Sequence, residues 1–151
     1  MYIATLGDTN KEVIVKFTAR CNEVAHRLLV DADLAPKLHF CERVIGDLYM
    51  VIMDRVDGTS VWQFQQDEKP VPAVVLKDIK DALHILHAKD IVFGDLRDPN
   101  ILYLASKARA ILGRMEKTDT WRRPTLAMRG QRMFHHIVLC ARPMIHGNWT
   151  A

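Results

Sequence analysis

The strongest constraint on the fold lies in residues 75–104, where the hydrophobic pattern changes period around one polar loop. Val75, Ile79, Ala82, Leu83 and Leu86 repeat at the spacing of a single helix face. Lys89-Asp90 ends that pattern, and Ile91-Val92-Phe93 leads into Gly94-Asp95-Leu96-Arg97-Asp98-Pro99-Asn100, after which Ile101-Leu102-Tyr103-Leu104 resumes as an apolar strand. A short turn between two apolar segments aims its polar side chains into one place, so Asp95 and Asn100 are expected to open into a common cleft. A carboxylate and an amide set there can hold a base and a metal ligand around one reacting group. The plainer alternative is that both residues cap turns, because Asp, Asn, Pro and Gly are loop formers.

Upstream, residues 2–6 and 13–17 are short β-prone runs separated by a stretch rich in turn formers, which predicts a hairpin. From residue 18 or 20 to about residue 32 the pattern is helical, with Val24 and Leu28, and Ala25 and Leu29, at i, i+4 spacing. Glu23 and Arg27 share a face of that helix, and Pro36 lies beyond its end. Residues 37–44 and 48–53 follow as strands around Ile45-Gly46-Asp47. Strand, strand, helix, strand, strand make a small α+β lobe. A polar, Gln-rich stretch at residues 63–72 separates it from the helix that carries Val75.

A chain of 151 residues with 49% hydrophobic side chains supports one core. Its longest apolar runs, residues 48–53 and 71–76, fall far short of the roughly 18 residues that cross a bilayer. No membrane contact is expected, and with neither a basic leader nor a cleavage site at the amino terminus the chain reads as cytoplasmic. Cys21, Cys41 and Cys140 are an odd set without C-x-x-C spacing, which suits reduced thiols better than a disulfide framework. Charge is uneven: residues 1–103 carry 12 Lys and Arg against 16 Asp and Glu, and residues 104–151 carry 9 against 2. Beyond Asp119 the only charged side chains are Arg122, Arg123, Arg129, Arg132 and Arg142. Without aromatic interleaving or a known motif this basic tail does not predict nucleic-acid binding. Nor do His135-His136, Cys140 and His146 form a zinc pattern.

Residues 82–102 closely resemble the helix and catalytic loop of protein kinases, whose signature is H-R-D-L-x-x-x-N. Phe93-Gly94 stands in place of His-Arg, and the interval from Asp95 to Asn100 is kept. The G-D-L form is similar to an atypical branch that includes fungal kinase-like proteins and small-molecule phosphotransferases. The resemblance implies that Asp95 accepts the proton of the attacking hydroxyl, that Asn100 holds a magnesium ion bridging ATP phosphates, and that Arg97 stands near the transferred phosphate. Val13-Ile14-Val15-Lys16 looks like the V-A-I-K strand, and Glu23 resembles the ion-pair partner of its lysine. Lys16 and Glu23 are therefore expected within salt-bridge reach, with Lys16 on the α and β phosphates. Residues 48–58 are similar to the strand and hinge joining the two kinase lobes, which implies adenine contacts from the backbone of Asp54 and Val56, Met53 behind them and Leu102 beneath. Simpler alternatives are a solvated lysine, a surface Glu23–Arg27 pair and ordinary core packing for Met53 and Leu102.

The resemblance covers residues 1–104, and Gly7 is the only glycine ahead of Lys16, where a glycine-rich loop belongs about fifteen residues earlier. No D-F-G or A-P-E follows Asn100, and Asp119, the only later aspartate, lacks the apolar lead-in that the metal-binding aspartate of D-F-G carries. Kinase-like domains run to about 250 residues, so the expectation is an incomplete α+β, protein-kinase-like fold. Its parts are a small lobe and hinge at 1–58, the start of the large lobe with the catalytic loop at 59–104, and a basic tail of unassigned structure at 105–151. The expected function is ancestral ATP-dependent phosphoryl transfer, inactive or nearly so in this chain. Alternatives are a non-catalytic, pseudokinase-type module that binds a protein partner and a small-molecule phosphotransferase-like fragment.

Overall fold

Two cross-strand patterns dictate the first lobe. The computed structural model describes residues 1–113 and the backbone of residues 118–120 and 137–143. β1 (Tyr2–Leu6) and β2 (Glu12–Thr18) form the expected hairpin, closed by Leu6 N–H on the Lys11 carbonyl at 2.9 Å. Asn10 takes a positive φ of 53° there, a conformation asparagine tolerates better than most residues. β3 (Leu38–Arg43) and β4 (Tyr49–Asp54) pair around a turn in which Gly46 has φ 81°, where a β-carbon would be strained. Within this sheet the order runs β1-β2-β4-β3. Val13, Val15, Ala4 and Ile52 pack on one face, and Leu38, Cys41 and Val51 on the other.

α1 (Glu23–Asp31) begins where Asn22 accepts the Ala25 N–H at 3.0 Å, so it starts a few residues later than the periodicity suggests. Cys21, directly ahead of it, lies with its sulfur against that of Cys41 of β3, so the fold brings together cysteines 20 residues apart.

β5 (Thr59–Ser60) leads directly into α2 (Val61–Gln66), capped by the Ser60 hydroxyl on the Gln63 N–H at 3.1 Å. The polar stretch expected from residue 63 is thus partly helical, because Ser60 supplies a cap and Val61 is buried. α3 (Ala73–His87) buries Val75, Ala82 and Leu86. After it come β6 (Ile91–Phe93), a short 3-10 turn at Asp98–Asn100, β7 (Ile101–Leu104) and β8 (Arg109–Leu112). β7 lies between β5 and β8. β8 falls inside the segment expected to be unassigned tail, so the ordered fold runs at least nine residues past the boundary read at 104. Its anchor is the buried Asp78 carboxylate of α3, which accepts the Ala110 N–H at 2.7 Å. β9 (Thr118–Thr120) pairs with β6, and β10 (Ile137–Pro143) pairs with the outer edge of β1. Arg122, Arg123, Arg129, Arg132, His135, His136 and His146 lie outside the described residues.

The principal core crosses between the two halves. Ala25 and Leu29 of α1 pack with Leu34, with Val75, Ala82 and Leu86 of α3, and with Ile91, Phe93, Ile101 and Leu112. Fully burying one such leucine contributes about 1.5–3 kcal/mol. Leu112 N–H also bonds the Leu34 carbonyl at 2.9 Å, tying β8 to the end of the α1 segment. Among the described residues no helix is long and apolar enough to cross a membrane.

Candidate functional site

The polar loop forms a short turn because Asp98-Pro99-Asn100 closes a single 3-10 turn, Asn100 N–H bonding the Arg97 carbonyl at 2.8 Å. That turn points Asn100 inward, where it is 1% exposed. Its side-chain Nδ2 donates to the backbone carbonyl of Asp95 at 2.9 Å, so the two residues brace each other from opposite ends of the loop. The Asn100 carbonyl in turn accepts the Gly113 N–H at 2.8 Å, anchoring the loop to the end of β8. A β-carbon at Gly113 would sit 3.0 Å from Leu102 Cδ1, so the close approach there favours glycine. The Asp95 carboxylate is buried and receives Arg97 as a fork, Nε to Oδ1 at 2.6 Å and Nη2 to Oδ2 at 3.0 Å. Arg97 itself reaches in from the exposed side. α2 steadies the same loop, with Gln65 Nε2 donating to Asp98 at 3.0 Å.

At the other end of the expected site, Asp54 terminates β4. Its N–H bonds the Lys37 carbonyl at 2.9 Å, and its carboxylate accepts His39 Nε2 at 2.6 Å and Lys11 Nζ at 2.7 Å. Partial burial pushes that carboxyl upward, but the hydrogen bonds from Lys11 and His39 outweigh it and hold the pKa below the usual carboxylate value. Arg55 adds a bond from its Nη1 to Glu12 at 2.7 Å. These contacts staple the strands where the chain leaves the sheet. Val56 then packs on Leu102, Leu104 and Ile111, and Gly58 lies so close to β7 that a β-carbon would fall 2.7 Å from Leu104 Cδ2. The expected hinge and the expected floor residue Leu102 therefore meet. Met53 is buried between Ile14 and Leu38 in the cross-strand register.

Lys16 is 7% exposed on β2. Glu23 bonds Arg27 one helical turn on, Arg27 Nη2 to Glu23 Oε1 at 2.7 Å, with 44% of the Glu23 side chain exposed. α1 turns Ala25, His26 and Leu29 inward. His26 is 2% exposed, and its Nε2 lies 2.8 Å from the Pro36 carbonyl. Sequence reasoning passed over it, although its place between Ala25 and Leu29 on the apolar stripe was a usable signal. His39 and Asp78 were also missed, since nothing local in the sequence links them to Asp54 or to β8. Among the described residues no cluster of three or more His, Cys, Asp or Glu is placed to hold a metal. Asp119 faces Val92 in the β6–β9 register, and only its backbone is described.

No family model matches the sequence. The chain is 26% identical over 101 residues to serine/threonine-protein kinase 1 of Heliothis zea nuclear polyhedrosis virus, an alignment covering 64% of this chain and 38% of that protein. The fold matches the Cydia pomonella granulovirus kinase PK-1 with a TM-score of 0.59 at 22% identity, over 77% of this chain and 46% of that one. The chain thus spans less than half the length of either relative.

Proposed function

Because the chain carries a protein-kinase-like domain of α+β class, we propose that it binds ATP with magnesium between the hinge at residues 54–58 and the loop at residues 94–100, and transfers phosphate at no more than a trace rate. The observation that carries this reading is the mutual brace of Asp95 and Asn100, which builds a buried carboxylate and a buried amide into one rigid turn. Asp95 would accept the proton of an attacking hydroxyl, and Arg97 would steady the transferred phosphate. The packing of Val56 on Leu102 supports an adenine site, with the Asp54 and Val56 backbone as its polar edge and Met53 behind.

The donor set fits magnesium to a limited degree. With its Nδ2 turned to the Asp95 carbonyl, Asn100 keeps an amide oxygen, a hard donor of the type magnesium takes. When bound, the ion would neutralise charge on the bridging phosphates. The sequence offers no D-F-G after Asn100. Phosphoryl transfer depends on positioning and charge neutralisation, and general-base help alone supplies about 10² to 10⁴ in rate. A second reading, a non-catalytic module that docks a protein partner, draws support from the Arg97 fork, which occupies both oxygens of the would-be base.

The test is Mg-ATP titration of the 151-residue chain together with a phosphate-transfer assay against Asp95→Ala. Weak, magnesium-dependent binding with trace transfer is expected. Absence of binding would favour the docking module. Robust turnover abolished by Asp95→Ala would overturn the low-activity reading.

A further inference from the structure

We propose that Cys21 and Cys41 form a reversible thiol–disulfide site, closed by a peroxide-class oxidant and opened by a thiol reductant, whose closure fastens the start of α1 to the sheet.

The fold sets the two residues at a junction. Cys21 stands one residue ahead of Asn22, the cap of α1, and Cys41 lies on β3, an edge strand of the sheet. Their sulfurs lie against each other although 20 residues separate them in sequence. Cys21 packs on the cluster of Leu38, Cys41 and Val51, whereas Ala25 and Leu29 further along α1 pack into the core shared with α3. A bond between the sulfurs therefore ties a helix seated in one core to a sheet seated in another. In register Cys41 lies opposite Val51, and Val51 opposite Lys16, so the tie falls on the face of the sheet that carries Lys16. The third cysteine is out of reach. Cys140 is on β10, and the strand order β10-β1-β2-β4-β3 puts it at the opposite edge from Cys41. At about 4.8 Å per strand interval that is roughly 19 Å, far beyond the Cα separation of about 7 Å that a disulfide tolerates.

Exposure orders the chemistry. Cys21 is half-buried and Cys41 is 7% exposed, so a peroxide in solution meets Cys21 first. The Cys21 thiolate attacks one peroxide oxygen, the O–O bond breaks, and a sulfenic acid forms with release of one water. The Cys41 thiolate then attacks the Cys21 sulfur, the S–O bond breaks, and the departing hydroxide takes up a proton to leave as a second water. The net change is that two thiols are oxidised to one disulfide while one peroxide is reduced to two waters. Two molecules of a thiol reductant reverse it by exchange and leave as their own disulfide. The two Cα atoms stand 7.3 Å apart, just past the usual span of about 4.4–6.8 Å, so closure draws the entrance of α1 toward β3.

The experiment uses the full chain carrying Cys140→Ser, reduced with dithiothreitol, treated with hydrogen peroxide and then trapped with N-ethylmaleimide. Expected are an intact mass lower by two hydrogens, no trapped thiol, a non-reducing peptide map that joins residues 21 and 41, and full reversal by dithiothreitol. On closure the thermal midpoint should rise by about 5 °C. The Ala25 and His26 amides, which both bond Asn22, should exchange about tenfold more slowly. Trapped thiols at both positions after peroxide, oxidation that runs to sulfinic acid, or a bond that dithiothreitol leaves intact would each overturn the site. A closed bond with an unmoved midpoint or unchanged exchange would overturn the fastening of α1. Should Cys140→Ser fail to fold, the same peptide map and exchange are read on wild type. Every readout compares two redox states of one chain, so none depends on a Cys21 or Cys41 variant folding.

Discussion

The loop at residues 94–100 and the face between β2 and α1 were both read from the same kind of motif, but they differ in how far apart in sequence the residues that shape them lie. Within the loop three contacts span five residues or fewer: Arg97 to Asp95, Asn100 to Asp95, and Asn100 to Arg97. Short closure leaves the chain few alternatives, so residue order nearly dictates geometry. On the β2–α1 face, by contrast, the partner of Lys16 depends on how α1 is rotated when it docks. Each residue turns a helix side chain by about 100°, and docking is set by Ala25 and Leu29 meeting the α3 core rather than by Glu23. A charge partner chosen by a helix cannot be read without knowing which face the core claims.

Substitutions can sharpen that contrast. The largest effect is expected outside both regions: Asp78→Ala removes the buried acceptor of the Ala110 N–H and should lower stability by about 3 kcal/mol in urea unfolding, confirming β8 as part of the fold. Little change would mean that β8 docks without this anchor. Asn100→Ala leaves the Asp95 carbonyl unsatisfied inside the loop, and about 2 kcal/mol should be lost. A neutral result would dissolve the brace on which the loop half of the comparison stands.

On the other face the signature is pH dependence. His26 has a lowered pKa in the folded chain, so the unfolded chain binds the extra proton first. Stability should be full above the ordinary 6.5 and fall as pH drops from there toward the depressed folded value, a loss absent in His26→Gln. Asp54 is also lowered, so its contribution should persist above 3.8 and disappear only as pH falls through its folded value, which keeps the two steps apart. Denaturation midpoints followed across pH resolve them. The smallest effect belongs to Glu23→Gln: an exposed i, i+4 pair contributes about 0.5 kcal/mol or less, and Mg-ATP affinity should stay within about twofold of wild type. A large loss of affinity would assign Glu23 a part in holding Lys16.

Much of the architecture was legible for the same reason that the loop was. The β1–β2 hairpin, the helix over residues 73–87 and the strand β4 carry their own periodicity and turn residues. α2 was hidden in a polar stretch because its cap, Ser60, belongs to the preceding strand. β8 was hidden by composition: Lys107 and Arg109 looked like the start of a basic tail, but they bond Asp33 and flank Asp78 on acidic elements far off in sequence. The Cys21–Cys41 contact and the His39–Asp54–Lys11 staple likewise join residues that only the sheet brings together.

The most direct test of the central claim is an NMR map of backbone amides in the isotope-labelled chain as Mg-ATP is added. Perturbations should converge on three separated stretches at once, the hinge at residues 54–58, the loop at residues 94–100 and Lys16 on β2. Saturation without any change in the loop, or changes confined to a surface away from both hinge and loop, would contradict the account.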